Sequence, residues 1–221
     1  MNSTPSQLNM HYGACPKKLE ARHQTIIKTY QEHYNTKSIP NDSQYWSICG
    51  RCSYEMNKLE INCEPDQLIK AELIQPNQFF GVEICPEIYG FNSSNKGMNW
   101  FLGDFYEQMV EYSNDNYFNP AIVNADMLLM PKFGVEYFSR IMHFLTSIDS
   151  QNIMLIGNFI MKSRHQVAKQ EDILRGLEKE AMFQDSMSEG KWSIHNQFYM
   201  YNGTGKTRTK MGTMIFFKGD S

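Results

Sequence analysis

Residues 79–92 read FFGVEICPEIYGFN, and the fold turns on how this stretch is explained. From Phe79 to Val82 the run is apolar without alternation; it then stops on an acid, Glu83, and Pro86 follows three residues later. A strand covered on both faces gives such a continuous apolar run, whereas a strand with one wet face alternates. Proline suits the first turn of a helix, where its missing N–H would have no partner anyway. The stretch therefore predicts a buried strand over 79–83 and a short helix over 86–91. Glu83 is either an ordinary strand-end acid beside that helix or a residue placed to hold something at the strand's end.

The same grammar repeats on both sides. Tyr45-Trp46-Ser47-Ile48-Cys49 predicts a first strand that stops at Gly50, followed by helical patterns over 53–60 and 66–74. A third strand is expected over 100–103 with a helix over 105–112, and a fourth over 121–124, which Pro120 precedes rather than interrupts. Phe138, Ile141, Met142 and Leu145 share one helical face within 134–146. A fifth, mostly apolar strand covers 153–160, with a helix over 167–182. The ending differs: 193–201 and 211–217 read as two strands whose connection returns the chain antiparallel. Upstream, Leu19, Ile26, Ile27, Tyr30 and Tyr34 recur near helical spacing, and 36–44 reads as a loop.

Five strand–helix units and a closing hairpin predict an α/β fold. It is a doubly wound, mainly parallel seven-stranded sheet with a C-terminal antiparallel hairpin, plus an N-terminal helix. Residues 1–43 form an arm and helix, and 44–221 the Rossmann-like domain. A chain of 221 residues, 41% hydrophobic and 20% charged, fits one such domain with an appendage. It is long enough to bury a core without disulfides or metal. Five cysteines, an odd number, argue against a disulfide framework. The net charge of −3 excludes a global electrostatic funnel for nucleic acid, though not a local basic patch. The N-terminus has no signal-peptide pattern and no apolar run reaches membrane-spanning length, which points to a soluble cytoplasmic protein.

In doubly wound sheets ligands bind beyond the carboxyl ends of the strands. There stand Cys49-Gly50-Arg51-Cys52-Ser53 with Glu55 after strand one, Glu83-Ile84 after strand two, Gly103-Asp104-Phe105 after strand three, and Asn124-Ala125-Asp126 after strand four. Three successive strands end on an acid. Over roughly residues 44–218 this arrangement resembles the class I S-adenosylmethionine-dependent methyltransferases. The resemblance implies that Glu83 hydrogen-bonds the ribose hydroxyls, with Ile84 beside it. Asp104 would meet the adenine amino group, flanked by Gly103 and Phe105. The turn holding Cys49, Gly50, Ser53 and Glu55 would pass under the methionine part of the cofactor. Asn124 and Asp126 fall where the family keeps catalytic or substrate-facing residues. Methyl transfer from S-adenosylmethionine is the activity implied, and no metal ligand is expected.

Each assignment has its own chemistry. A carboxylate accepts two hydrogen bonds from a vicinal diol, and charge-assisted bonds of this kind are about twice as strong as neutral ones. Glycine lets backbone approach a ligand closely. The strand-one turn carries a single glycine, and strand four lacks the Pro-Pro-Tyr pattern of base-amino methylation. A catalytically degenerate module that binds a protein or nucleic-acid partner therefore stays open. Cys49-Gly-Arg-Cys52 also admits a redox pair or half a zinc site. Asp104 also suits a helix N-cap. The segment 203-GTGKTRTK-210 joins two strands and so is no phosphate loop. Its Lys206, Arg208 and Lys210 form either a nucleic-acid contact, which leans the acceptor toward nucleic acid, or a solvated hairpin tip.

Overall fold

The computed structural model describes residues 16–48, 64–94, 97–129, 131–161, 169–190, 192–202 and 210–219. The chain opens with α1 (Pro16–Tyr34), β1 (Gln44–Ser47), α2 (Glu64–Lys70), a 3-10 turn (Pro76–Gln78), β2 (Phe79–Glu83) and α3 (Pro86–Asn92). It continues with β3 (Asn99–Leu102), α4 (Phe105–Asp115), β4 (Pro120–Leu129), α5 (Pro131–Ser147) and β5 (Ile153–Ile160). Helices α6 (Gln170–Leu177) and α7 (Ala181–Glu189) lead to β6 (Trp192–Ile194), β7 (Tyr199–Asn202) and β8 (Lys210–Lys218). The expected helix over 53–60 lies outside the described residues.

The sheet runs β3-β2-β1-β4-β5-β8-β6, with β7 also on β8. The first five of these strands are parallel, and β8 is antiparallel to β5, β6 and β7. Strand order reverses between β1 and β4, which makes that junction the switch point at whose carboxyl end ligands bind. The outer edge, expected as one strand over 193–201, is two. Ile194 pairs with Phe216 and Tyr199 with Thr213, so His195 to Phe198 stand opposite only Ile215 and Met214. Surplus residues on one side of a ladder bulge out and break it. His195 still donates its backbone N–H to Ile215 (2.9 Å).

Both faces of the sheet are buried, as the unalternating strands demand. Trp46, Phe80, Val82, Val123, Leu155 and Phe216 point to one face, under Phe105 and Met109 of α4, Phe138 and Ile141 of α5, and Ile173 and Phe183 of α6 and α7. Tyr45, Phe79, Ile122, Ile156 and Ile215 point to the other, under Ile26 and Tyr30 of α1 and Leu68 of α2. Helix α1 is held further by the His33 ring stacked on Phe217, with ring centres 3.5 Å apart, and by Thr29 at 3.3 Å from the Tyr199 hydroxyl.

Two other expectations shift. The helix over 167–182 is broken into α6 and α7. From Leu177 to Phe183 a straight helix would turn roughly 240°, carrying Phe183 off the core side; the break returns it. Strand β4 runs to Leu129 instead of stopping near Asn124, so Asn124 and Asp126 lie within it. Helix α5 ends against Lys218 of β8, whose buried Nζ donates to the carbonyls of Leu145, Thr146 and Ile148 (2.8, 3.1 and 2.7 Å). Among the described residues no helix is long and apolar enough to cross a membrane.

Candidate functional site at the carboxyl edge

Glu83 closes β2 and is 3% exposed. Its Oε1 accepts the Cys85 N–H (3.0 Å), while its buried Oε2 has no hydrogen-bond partner. Burying a carboxylate oxygen unpaired is costly, since hydration is lost and nothing replaces it. Burial accordingly pushes the Glu83 carboxyl above the ordinary range, against the opposing pull of the Cys85 and Ile84 N–H groups. Native structures rarely leave such an atom without a purpose.

Around it the ends of β2 and β3 converge. Glu83 is in register with Leu102, and Gly103 donates its N–H to the Glu83 carbonyl (3.1 Å). Gly103 has φ +151°, a conformation that side-chain-bearing residues rarely adopt, which explains the glycine where the chain leaves β3. Among the described residues, Ile84 (70% exposed) and Leu102 (44%) are two of the few large apolar side chains open to solvent. An acid thus sits beside exposed apolar groups at the strand ends.

Asp104 is the N-cap of α4, its Oδ1 accepting the Glu107 N–H (3.1 Å). The Tyr137 hydroxyl lies 3.0 and 2.9 Å from its two carboxylate oxygens. Phe105 is 3% exposed and packs into the sheet core under α4. The structure therefore groups Glu83, Ile84, Gly103 and Asp104 along one edge, with the Phe105 side chain turned inward. Cys49, Gly50, Ser53 and Glu55 lie outside the described residues, as do Lys206 and Arg208.

Asn124 is fully buried in a polar network that sequence reasoning did not anticipate. Glu64, the first residue of α2 and 2% exposed, accepts through Oε1 from Tyr45 Oη (2.6 Å), Ser47 Oγ (2.7 Å) and Asn124 Nδ2 (2.9 Å). Asn158 Nδ2 donates to Asn124 Oδ1 (3.0 Å), and Thr213 Oγ1 donates to Asn158 Oδ1. The network runs from β1 through β4 and β5 to β8 on the face beneath α1 and α2. Two polar residues inside apolar runs, Asn124 in AIVNAD and Asn158 in LIGNFI, were its sequence signal, because buried amides need partners. Asp126, two residues beyond Asn124, is half-buried.

No known family and no curated protein matches this sequence. Solved structures do resemble it in fold. An S-adenosylmethionine-dependent methyltransferase from Archaeoglobus fulgidus superposes with a TM-score of 0.54 at 8% identity, covering 98% of this chain and 100% of its own. The O-methyltransferase of Bacillus cereus, solved with SAH, gives 0.51 at 9% identity over 97% and 91%. The plantazolicin methyltransferase BamL, also with SAH, gives 0.51 at 10% over 97% and 89%. The chain has the class I methyltransferase fold.

Proposed function

We propose that the protein binds S-adenosylmethionine at the carboxyl edge of the sheet and transfers its methyl group to an acceptor nucleophile. The observation that carries this reading is Glu83 Oε2, a buried carboxylate oxygen without a partner at a strand end where ligands of doubly wound sheets lie. The vicinal hydroxyls of a ribose are donors of the type this acid lacks. Glu83 holds them, Ile84 and Leu102 lie against the base, and Asp104 accepts its amino group. Gly103 keeps the chain close where β3 ends. We assign the methionine end to the stretch carrying Cys49, Gly50, Ser53 and Glu55, which follows strand one in sequence.

Bound there, the cofactor supplies an electrophilic methyl group on a sulfonium, and the protein's part is chiefly alignment, which alone strongly favours such a displacement. Asp126 is the residue we place toward the acceptor. Asn124 is engaged at both ends of its amide by Glu64 and Asn158, so its contribution is to fix β4 beside the switch point. For the acceptor we favour nucleic acid, contacted by Lys206, Arg208 and Lys210. The occupied Asn124 and the single glycine of the strand-one turn favour a second reading, a binding module that keeps the fold without turnover. Methyl release from labelled cofactor over a panel of nucleic-acid and protein acceptors separates the two.

Calorimetric titration with S-adenosylmethionine tests the cofactor claim directly. Binding is expected, and Glu83→Ala should weaken it by about 1.5–3 kcal/mol, the range for hydrogen bonds to a charged group. No heat at millimolar cofactor overturns the function, and an unchanged affinity in the variant removes Glu83 from the site.

A further inference from the structure

We propose that Tyr137 is a positioning residue for Asp104. It orients that carboxylate to accept an exocyclic amino group, so that the site takes an amino-purine and refuses its oxo counterpart. The inference rests on the cofactor reading above and adds to it a residue that lies 33 positions away on another helix.

The Tyr137 hydroxyl accepts the Tyr106 N–H (3.0 Å) and has a single proton to give. That proton faces both oxygens of Asp104, at 3.0 and 2.9 Å. With one lone pair filled from the backbone, the hydroxyl cannot turn away without leaving the Tyr106 N–H unmatched. Arg140, nearly one turn further along α5, lies 4.5 Å from the centre of the Tyr106 ring, so α5 grips the first turn of α4 at two points. The helix start and the carboxylate are thereby fixed together.

A carboxylate offers roughly four lone-pair directions. The Glu107 N–H occupies one on Oδ1 and the single Tyr137 proton is shared between the two oxygens, leaving Oδ2 with capacity for a further donor. An amino group on a purine supplies one. An oxo group in its place brings a second acceptor against a carboxylate, and a site built around a hydrogen bond rejects a ligand that cannot make it. Burial, with Asp104 alongside, pushes the Tyr137 phenol above the ordinary tyrosine range, so it stays a donor throughout neutral pH.

The test compares S-adenosylhomocysteine with S-inosylhomocysteine by calorimetry on the full chain. Wild type should prefer the adenosyl compound. Tyr137→Phe should reduce that preference by roughly tenfold through weaker adenosyl binding, with inosyl binding little changed. Amide exchange should show protection lost at Tyr106 and retained along the rest of α4. Tyr137→Leu serves as a second hydroxyl-free variant with the same expectation. A variant that keeps the wild-type preference, or weakens both ligands equally, overturns the positioning role and leaves the cofactor reading standing. Wild type that binds neither compound overturns both.

Discussion

Glu83 and Glu64 are both buried acids, and they are buried in opposite ways. Glu64 receives three side-chain donors on one oxygen, whereas Glu83 keeps one oxygen unmet. The difference has a pH signature. Because folding raises the Glu83 carboxyl, the folded state binds more protons than the unfolded one between the two pKa values. Its contribution to stability therefore falls as pH climbs from the ordinary carboxylate value through the folded one. A Glu83→Gln variant should lack that part of the decline, visible as a difference between wild-type and variant denaturant midpoints across mildly acidic pH. Parallel curves would show that Glu83 does not titrate there. Donors from a ribose favour the ionised carboxylate, so cofactor affinity should rise over the same interval. Glu83 was legible because an acid ends an apolar run. Glu64 was not: it reads as a first-turn helix acid, and nothing in the chain announces that Ser47, 17 residues before, and Asn124, 60 after, converge on it. Tyr137 was hidden likewise among the aromatic residues of an amphipathic helix.

At the level of elements, start signals were easier to see than endings. Pro86 opens α3 as expected, and Asp104 caps α4. The break between β6 and β7 depends on register with β8, and the break between α6 and α7 on where Phe183 must point; both are set by distant partners. One ending is improvable. After α2, Leu73 donates to the Leu68 carbonyl and Glu72 to Ile69, with Glu72 at φ +58°. This is the left-handed helix stop that glycine normally occupies. A side chain there costs about 1–2 kcal/mol. Glu72→Gly should stabilise the protein by roughly 0.5–1 kcal/mol after the added freedom of the unfolded chain is deducted. The exposed Lys37–Glu72 contact at 3.8 Å adds little to the account. A lower melting temperature in the variant would contradict this reading of the turn.

For the whole molecule, the boundary read near residue 43 separates segments in sequence, while the core runs across it. Ile26, Ile27, Tyr30 and Ile39 are each at most 5% exposed and share one cluster with Tyr45, Ile122 and Ile215. Burying each such side chain contributes about 1.5–3 kcal/mol. Together they match the net stability of an ordinary domain. A chain beginning at Gln44 should therefore lose its cooperative thermal transition; retention of a sharp transition near that of the full chain would refute this. The parallel order and its antiparallel close were readable because strand–helix alternation leaves few arrangements. Which helices cover which face was not, since both faces call for the same apolar residues.

The position of β8 has a consequence for how the chain reaches this state. The last of the described strands lies between β5 and the β6–β7 edge, so among them the sheet is completed from its interior. As the chain is synthesised, β5 presents an open, apolar edge through the whole interval in which residues 161–209 emerge. Pairings of such long sequence separation form slowly, and unpaired strand edges invite association between chains. Yield on expression should consequently depend on temperature and synthesis rate more than the stability of the finished fold suggests.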